Sequence, residues 1–246
     1  MAYTEGQNRL TSSTTPTVST IVPVFNNAAF LGEALRSILG QTRPPDQIIV
    51  VDDGSIDESA VVARSFMPAL TLVSQVNRGI GAARNAGLAA ATGEVIGFLD
   101  ADDLWPIDSL QARLTMLEAD DALDAVYGLV EHFISPTLDD AARASLHCPV
   151  GQMAARFAGA MLVRRRAFER LGVFDPELKV GEMVDWAARL KDSGAAVGAV
   201  DTVVMRRRIH DANTTTRGGP LYGDYLRVLK ASLKRKTGAR LAEAGQ

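Results

Sequence analysis

The chain has 246 residues, 47% hydrophobic and 22% charged, with a formal net charge of -3 at pH 7. It carries enough apolar material for a sizeable core and too little net charge of either sign for a general nucleic-acid binder or an acidic tail protein. A single cysteine, Cys148, excludes an intrachain disulfide and with it a bridge-stapled secreted scaffold.

The first 17 residues are polar and rich in Ser and Thr, without the basic-then-apolar pattern of a signal peptide. No apolar run approaches the roughly 18 residues that cross a bilayer. A cytoplasmic, soluble protein is the expectation. Val18 to Val24 is short and β-branched, which suits a buried strand. Phe30, Leu31, Ala34, Leu35, Ile38 and Leu39 then recur on one helix face, closed by Thr42 to Pro45. A second strand, Gln47 to Val51, runs into Asp52-Asp53-Gly54-Ser55, and Ser55 with Glu58 has the spacing of a helix cap. Leu70 to Val73 is a third strand, Gly79 to Ala91 an alanine-rich helix, and Glu94 to Leu99 a fourth strand.

Trp105-Pro106 is expected to open the next helix. A strand follows from Ala125, then a loop from Ser135 to Gly151 with room for a short helix between Leu138 and Leu146. Ala158 to Val163 and Ala199 to Arg208 read as strands, Arg165 to Leu171 and Glu182 to Lys191 as helices. Tyr222, Tyr225, Leu226, Leu229 and Leu233 form the apolar stripe of a last helix. Alternating strands and helices imply an α/β fold with a mainly parallel, Rossmann-like sheet flanked by helices on both faces. Ligands of such sheets lie beyond the carboxyl ends of the strands, where the Asp-bearing segments fall. The expected organisation is a flexible start (1–17), one domain (18–220) and a basic C-terminal helix and tail (221–246).

Asp100 and Asp102 follow the strand Val95 to Leu99, and residues two apart on an extended chain face one way. Two such carboxylates suit Mg²⁺ or Mn²⁺ shared with a ligand diphosphate. Asp52 and Asp53 with Gly54 could accept bonds from a base or ribose, or form an ordinary turn. Arg84, in Asn77-Arg78-Gly79-Ile80-Gly81-Ala82-Ala83-Arg84-Asn85, could hold phosphate. As a dinucleotide fingerprint this segment is weak, since Arg84 stands at the third small position and no strong strand leads directly into it.

Val22-Pro-Val-Phe-Asn-Asn27, Val50-Val-Asp-Asp-Gly-Ser55, Asn77-Arg-Gly79 with Ala83-Arg-Asn-Ala-Gly87, and Phe98-Leu-Asp-Ala-Asp-Asp103 occur in the order seen in family 2 glycosyltransferases. Together they resemble the nucleotide-sugar-binding half of the GT-A fold, over residues 18 to 105, with 106–220 as the acceptor half. The resemblance implies that Pro23, Phe25, Asp52, Asp53 and Arg84 line the nucleoside and phosphate site, to which Asn26 and Ala101 of the same motifs are counted. It implies Asp100 near ribose or metal, Asp102 as the direct metal ligand, and inverting transfer without a covalent intermediate. Many members carry a Glu-Asp pair whose aspartate is the base. Here Glu182-Met183-Val184-Asp185 puts Met183 at that position. Glu182 and Asp185 share a helix face, and Asp185, followed by Trp186 and Arg189, is the favoured base. His210 stands where GT-A enzymes place a late metal or diphosphate contact, so it is expected beside Asp102, with Arg207 or Arg208 near phosphate.

The expected function is metal-dependent inverting transfer from a nucleotide sugar, with UDP as the nucleotide by resemblance, to a glycan, lipid-linked, small-metabolite or peptide acceptor. The rivals are an inactive nucleotide-sugar-binding scaffold, supported by Met183, and an oxidoreductase built around Gly79-Ile-Gly81, which gives Asp100 and Asp102 no task. Between Arg206 and Arg240 ten Lys/Arg face only Asp211 and Asp224. Peripheral membrane contact through that basic segment and a homodimer are left open, and no nucleic-acid partner is expected.

Overall fold

The computed structural model describes residues 15–155, 157–211, 213, 224, 226–230, 232–233 and 235. The expected flexible start therefore lies almost wholly outside the described residues. Eight strands form one sheet: β1 (Val18–Val24), β2 (Gln47–Asp52), β3 (Thr71–Ser74), β4 (Val95–Phe98), β5 (Ala125–Ile134), β6 (Gln152–Ala154), β7 (Met161–Arg164) and β8 (Val197–Ile209). The order is β3-β2-β1-β4-β7-β5-β6, with β8 on the other side of β5. β1 pairs in parallel with β2 and β4, β2 with β3, and β5 with β8, while β7 runs antiparallel between β4 and β5.

The helices ahead of β8 are α1 (Ala28–Leu39), α2 (Ser59–Arg64), α3 (Ile80–Ala90), α4 (Ser109–Ala119), α5 (Asp140–Ser145), α6 (Arg165–Leu171) and α7 (Glu182–Asp192) among the described residues. Their apolar faces bury both sides of the sheet. On one side Leu31, Leu35 and Ile38 of α1 and Leu110, Leu114 and Leu117 of α4 pack on Val22, Val50 and Val95. On the other, Ala83 and Leu88 of α3, Phe168 of α6 and Trp186 and Leu190 of α7 pack on Ile21, Ile49 and Ile96. Gly87 lets α3 lie close on β1, since a Cβ there would sit 2.3 Å from the Ile21 side chain.

Several expectations need correction. α2 begins after Glu58, whose side chain makes no cap, and α4 begins after Asp108, so Pro106 stands in the preceding turn. Ala158 to Ala160 is a 3₁₀ turn ahead of β7, and the three-residue β6 was not foreseen. Residues 226–230 are helical, but Leu226, Leu229 and Leu233 are 54%, 60% and 64% exposed while Val228 is buried. The leucines of the expected stripe face outward; Tyr222 and Tyr225 lie outside the described residues. Among the described residues no helix is long and apolar enough to cross a membrane.

The join between β5 and α6 rests on Asp124, whose Oδ1 accepts from Arg166 Nε at 3.0 Å and Oδ2 from Arg170 Nη2 at 2.7 Å. Burial pushes this carboxyl up, but the bonds and charges of Arg170 and Arg166 outweigh it and hold it below the usual 3.8. A folded-state value below the unfolded one makes the contribution complete above the unfolded value and lost as pH falls through the folded one. Because both arginines are half exposed, Asp124→Asn is expected to cost only about 1 kcal/mol at neutral pH. Urea unfolding should show the gap between the two chains closing as pH drops below about 4.

Candidate active site

A cavity of about 820 Å³ opens where β1, β2 and β4 end, lined on that side by Pro23, Phe25, Asp53 and Asp100 to Asp103, and on the far side by Phe157, Lys179 to Val184 and Arg207. Asp52 and Asp53 part company at its rim because successive side chains of an extended chain point opposite ways. Asp53 lines the cavity, while Asp52 turns away and accepts from Ser55 N at 3.0 Å. Asp53 is itself heavily bonded, taking Gln75 Nε2 (2.7 Å), Arg78 N (2.9 Å) and Gly79 N (2.8 Å). These bonds pin the 77–79 loop against the end of β2. Gly54, at φ +78°, permits the approach, because a Cβ there would fall 2.8 Å from Asn77 N.

Asn26 is also a brace: its Oδ1 accepts from Ile56 N at 2.8 Å and its N donates to Ser55 Oγ at 3.0 Å. It does not line the cavity, whereas Asn27 does. Phe25, 49% exposed, offers an aromatic face at the mouth. Assigning Asp52 and Asn26 to the donor site is therefore not supported by their positions; both hold the loops that shape it.

Asp100, Ala101 and Asp102 all line the cavity, gathered by a turn closed by Asp103 N donating to Asp100 O at 3.0 Å. The turn, not the pleat of β4, which ends at Phe98, brings the two carboxylates together. Leu104 then forms a bridge with Arg206, which fastens this loop to β8. As a result His210, one residue beyond β8, sits with Nε2 3.0 Å from Asp102 Oδ2. Asn213 donates to the same oxygen at 3.2 Å and accepts from His210 N at 2.6 Å. The Phe30 ring lies 4.7 Å from the imidazole. The roles in this contact follow the tautomer: with the ring proton on Nε2 the imidazole donates, and with it on Nδ1 the Nε2 lone pair faces the same space.

Alternation along β8 separates the arginines. Arg207 lines the cavity over the Phe157 ring at 5.0 Å, whereas Arg208 is 1% exposed on the other side. Arg208 donates to Glu33 Oε2 at 2.5 Å and to Asp102 O at 2.9 Å, between the rings of Phe30 and Phe133. Arg208 thus does not line the cavity, whereas Arg207 does. Burial, then the Asp102 and Asp100 charges, pushes Asp103 well above the carboxylate range, despite a bond from Arg208 N at 2.9 Å.

Arg84, 3% exposed on α3, joins the two sides of the cavity. Its Nη2 donates to Asp100 Oδ1 at 2.7 Å and its Nη1 to Glu182 Oε1. Burial pushes the guanidinium down, yet Asp100 and Glu182 more than reverse this and hold it above its ordinary value. Glu182 lines the cavity, but Asp185 does not. Asp185 points off α7 to Arg189 Nε (2.9 Å) and Arg235 Nη1 (3.5 Å). Three residues apart put both acids near one side of the helix, yet Asp185 is turned to its arginines while Ala187, farther along α7, still lines the cavity.

Beneath the site Trp105 Nε1 and Arg113 Nη1 both donate to Gly159 O, at 2.7 and 3.2 Å, with the guanidinium 4.6 Å from the indole. Burial pushes Arg113 down to about 9, which leaves it charged at neutral pH. Sequence reasoning missed Asn213, Phe157, Lys179 and Arg113. Only Asn213 had a local signal, its spacing of three from His210.

The family model described as glycosyl transferase family 2 matches residues 19–172, well over half of the chain. The chain belongs to that family. It is a glycosyltransferase by this membership, and the oxidoreductase alternative falls away. Uncharacterized glycosyltransferase RT0329 of Rickettsia typhi is 29% identical over 240 residues, 90% of this chain and 73% of the relative. Several other curated relatives match over less of their own length, 36% for alr2836 of Nostoc sp. and 17% for GlyA of Streptococcus pneumoniae. Mannosyltransferase PcManGT from Pyrobaculum calidifontis, solved in complex with GDP-Man and Mn²⁺, is 25% identical with a TM-score of 0.61, covering 94% of this chain and 75% of that one. S. aureus TarS 1-349, solved in complex with UDP-GlcNAc, superposes with a TM-score of 0.72 at 18% identity over 89% of this chain. The chain spans 66% of that fragment and 39% of the longer TarS chain. These likenesses show a GT-A-type fold.

Removing the charge that joins the cavity walls should be felt in stability. Arg84→Met leaves Glu182 buried without a counter-charge and is expected to cost about 3 kcal/mol in denaturant unfolding at neutral pH. Glu182→Gln, which keeps a neutral acceptor for Arg84, should cost clearly less.

Proposed function

We propose that this chain is a metal-dependent, inverting glycosyltransferase that moves a sugar from a nucleotide-sugar donor, a UDP-sugar by motif resemblance, to an acceptor by direct displacement. The observation that carries the reading is the pairing of Asp102 Oδ2 with His210 Nε2 at 3.0 Å on one wall of a cavity that also holds Asp100, Arg84 and Glu182. PcManGT, with GDP-Man and Mn²⁺, supports both the nucleotide sugar and the ion.

The residues present fit a divalent ion. Carboxylate oxygen and imidazole nitrogen suit Mn²⁺ or Mg²⁺, and Asp102 with His210 would hold it, with Asp100 lining the same cavity. Among the described residues no three His, Cys, Asp or Glu are grouped so as to hold an ion, so the diphosphate would have to supply further ligands. When bound, the ion would neutralise charge on the departing nucleoside diphosphate.

The chain's own groups do the rest. Phe25 gives the base a face to stack on, and Arg207 supplies positive charge at the phosphate side. Asp53, through the loop it pins, holds the wall in place before donor arrives. Glu182 replaces Asp185 as our proposed base, since it is the acid of α7 that lines the cavity. It takes the acceptor proton as the oxygen attacks the anomeric carbon and the donor bond breaks. Direct attack by the acceptor in a single displacement inverts the anomeric centre. Arg84 then keeps Glu182 aimed into the cavity until the acceptor hydroxyl competes for it.

Two measurements test this. Glu182→Gln should lower turnover by about 10²–10⁴-fold, while Asp185→Asn should stay within about tenfold of the parent. The reverse result would restore Asp185 as base. Titration of Mn²⁺ with UDP present should show His210→Ala and Asp102→Ala each weakening the ion by at least about tenfold. Donor binding without turnover across many acceptors would instead support a donor-binding scaffold with Met183 as its mark.

A further inference from the structure

We propose that the helix around residues 226–233 is a docking surface for an anionic membrane, lying flat with its leucines in the lipid headgroup region. Residues 226–230 are helical, and 224, 232, 233 and 235 carry the same conformation. At 100° per residue Leu226, Leu229 and Leu233 share an arc of roughly 60°. All three are more than half exposed. The opposite side is anchored to the domain: Val228 is 4% exposed, Arg235 Nε reaches Asp192 Oδ2 at 3.2 Å, and Asp224 Oδ2 accepts from Lys179 N at 3.1 Å. The leucines are therefore turned outward by contacts that hold the rest of the helix in.

Charge complementarity selects the occupant. From Asp224 to Arg240 the sequence carries that one acid against Arg227, Lys230, Lys234, Arg235, Lys236 and Arg240. Exposed Arg227 and Lys230 lie just beside the leucine arc. An apolar stripe bordered by cations is the pattern of an interfacial helix, in which acyl-chain contact and attraction to acidic headgroups add. A nucleic acid would use the cations and leave the leucines in water. The anchor also sets orientation, because Lys179 lines the cavity and its partner Asp224 stands two residues before Leu226. Docking would hold that cavity wall close to the bilayer surface.

The test is co-sedimentation of the full chain with phosphatidylglycerol–phosphatidylcholine vesicles and with pure phosphatidylcholine vesicles. The expected result is binding to the anionic vesicles alone, weakened about tenfold or more in Leu226→Ser/Leu229→Ser/Leu233→Ser and, at low salt, in Arg227→Glu/Lys230→Glu. Unchanged melting temperature and far-UV dichroism would confirm that the variants fold. Failure of the parent chain to sediment with anionic vesicles, or equal sedimentation of the serine variant, would overturn the proposal. So would a serine variant whose only change is loss of a dimer on size-exclusion chromatography, since a second copy would then be the occupant.

Discussion

The site depends on one buried cation. Arg84 is set on α3 by the packing of that helix on β1, and it reaches Asp100 beyond β4 on one hand and Glu182 at the start of α7 on the other. A guanidinium with fixed forked geometry can satisfy two carboxylates at once, which an ammonium could do only with less directional control. The arrangement is electrostatically demanding, because each charge is tolerable only while the others are in place. It therefore links two segments 98 residues apart in sequence and makes the cavity wall one cooperative unit.

A second set of contacts fixes the other wall by backbone pairing. The bridge between Leu104 and Arg206 aligns the Asp100 to Asp103 turn with β8, so that His210 arrives beside Asp102. Asp53 does the same for the 75–79 segment through three accepted bonds. Such preformed walls reduce the ordering that a bound ligand must impose.

The strands and helices of the first hundred residues were legible because apolar periodicity and turn residues agree there, and α6 was read to its last residue. The donor-side aspartates were legible too, although strand parity alone could not tell that Asp53 faces the cavity and Asp52 does not. Farther along, local pattern gave out. Asp185 and Glu182 are indistinguishable by helical spacing, and their separation follows from where α7 meets Arg84 and Arg235, both tertiary facts. Arg207 and Arg208 differ only in strand parity, which needs the register of β8. The leucines 226, 229 and 233 form a genuine stripe, but a stripe does not say which way it faces.

That register has a consequence of its own. β8 reaches Arg206 only after two shifts in its pairing with β5, around Leu129 and Val130. Downstream of them Glu131 to Ile134 keep step with Arg206 to Ile209 without a break. The irregularity thus acts as a phase setting for everything that follows it. Loss of a single residue there would turn Arg208 toward the cavity, bury Arg207 between Phe30 and Phe133, and carry the imidazole away from Asp102. Chain length within this strand is in this sense part of the chemistry, although Leu129 and Val130, the β5 residues at the shifts, do not line the cavity.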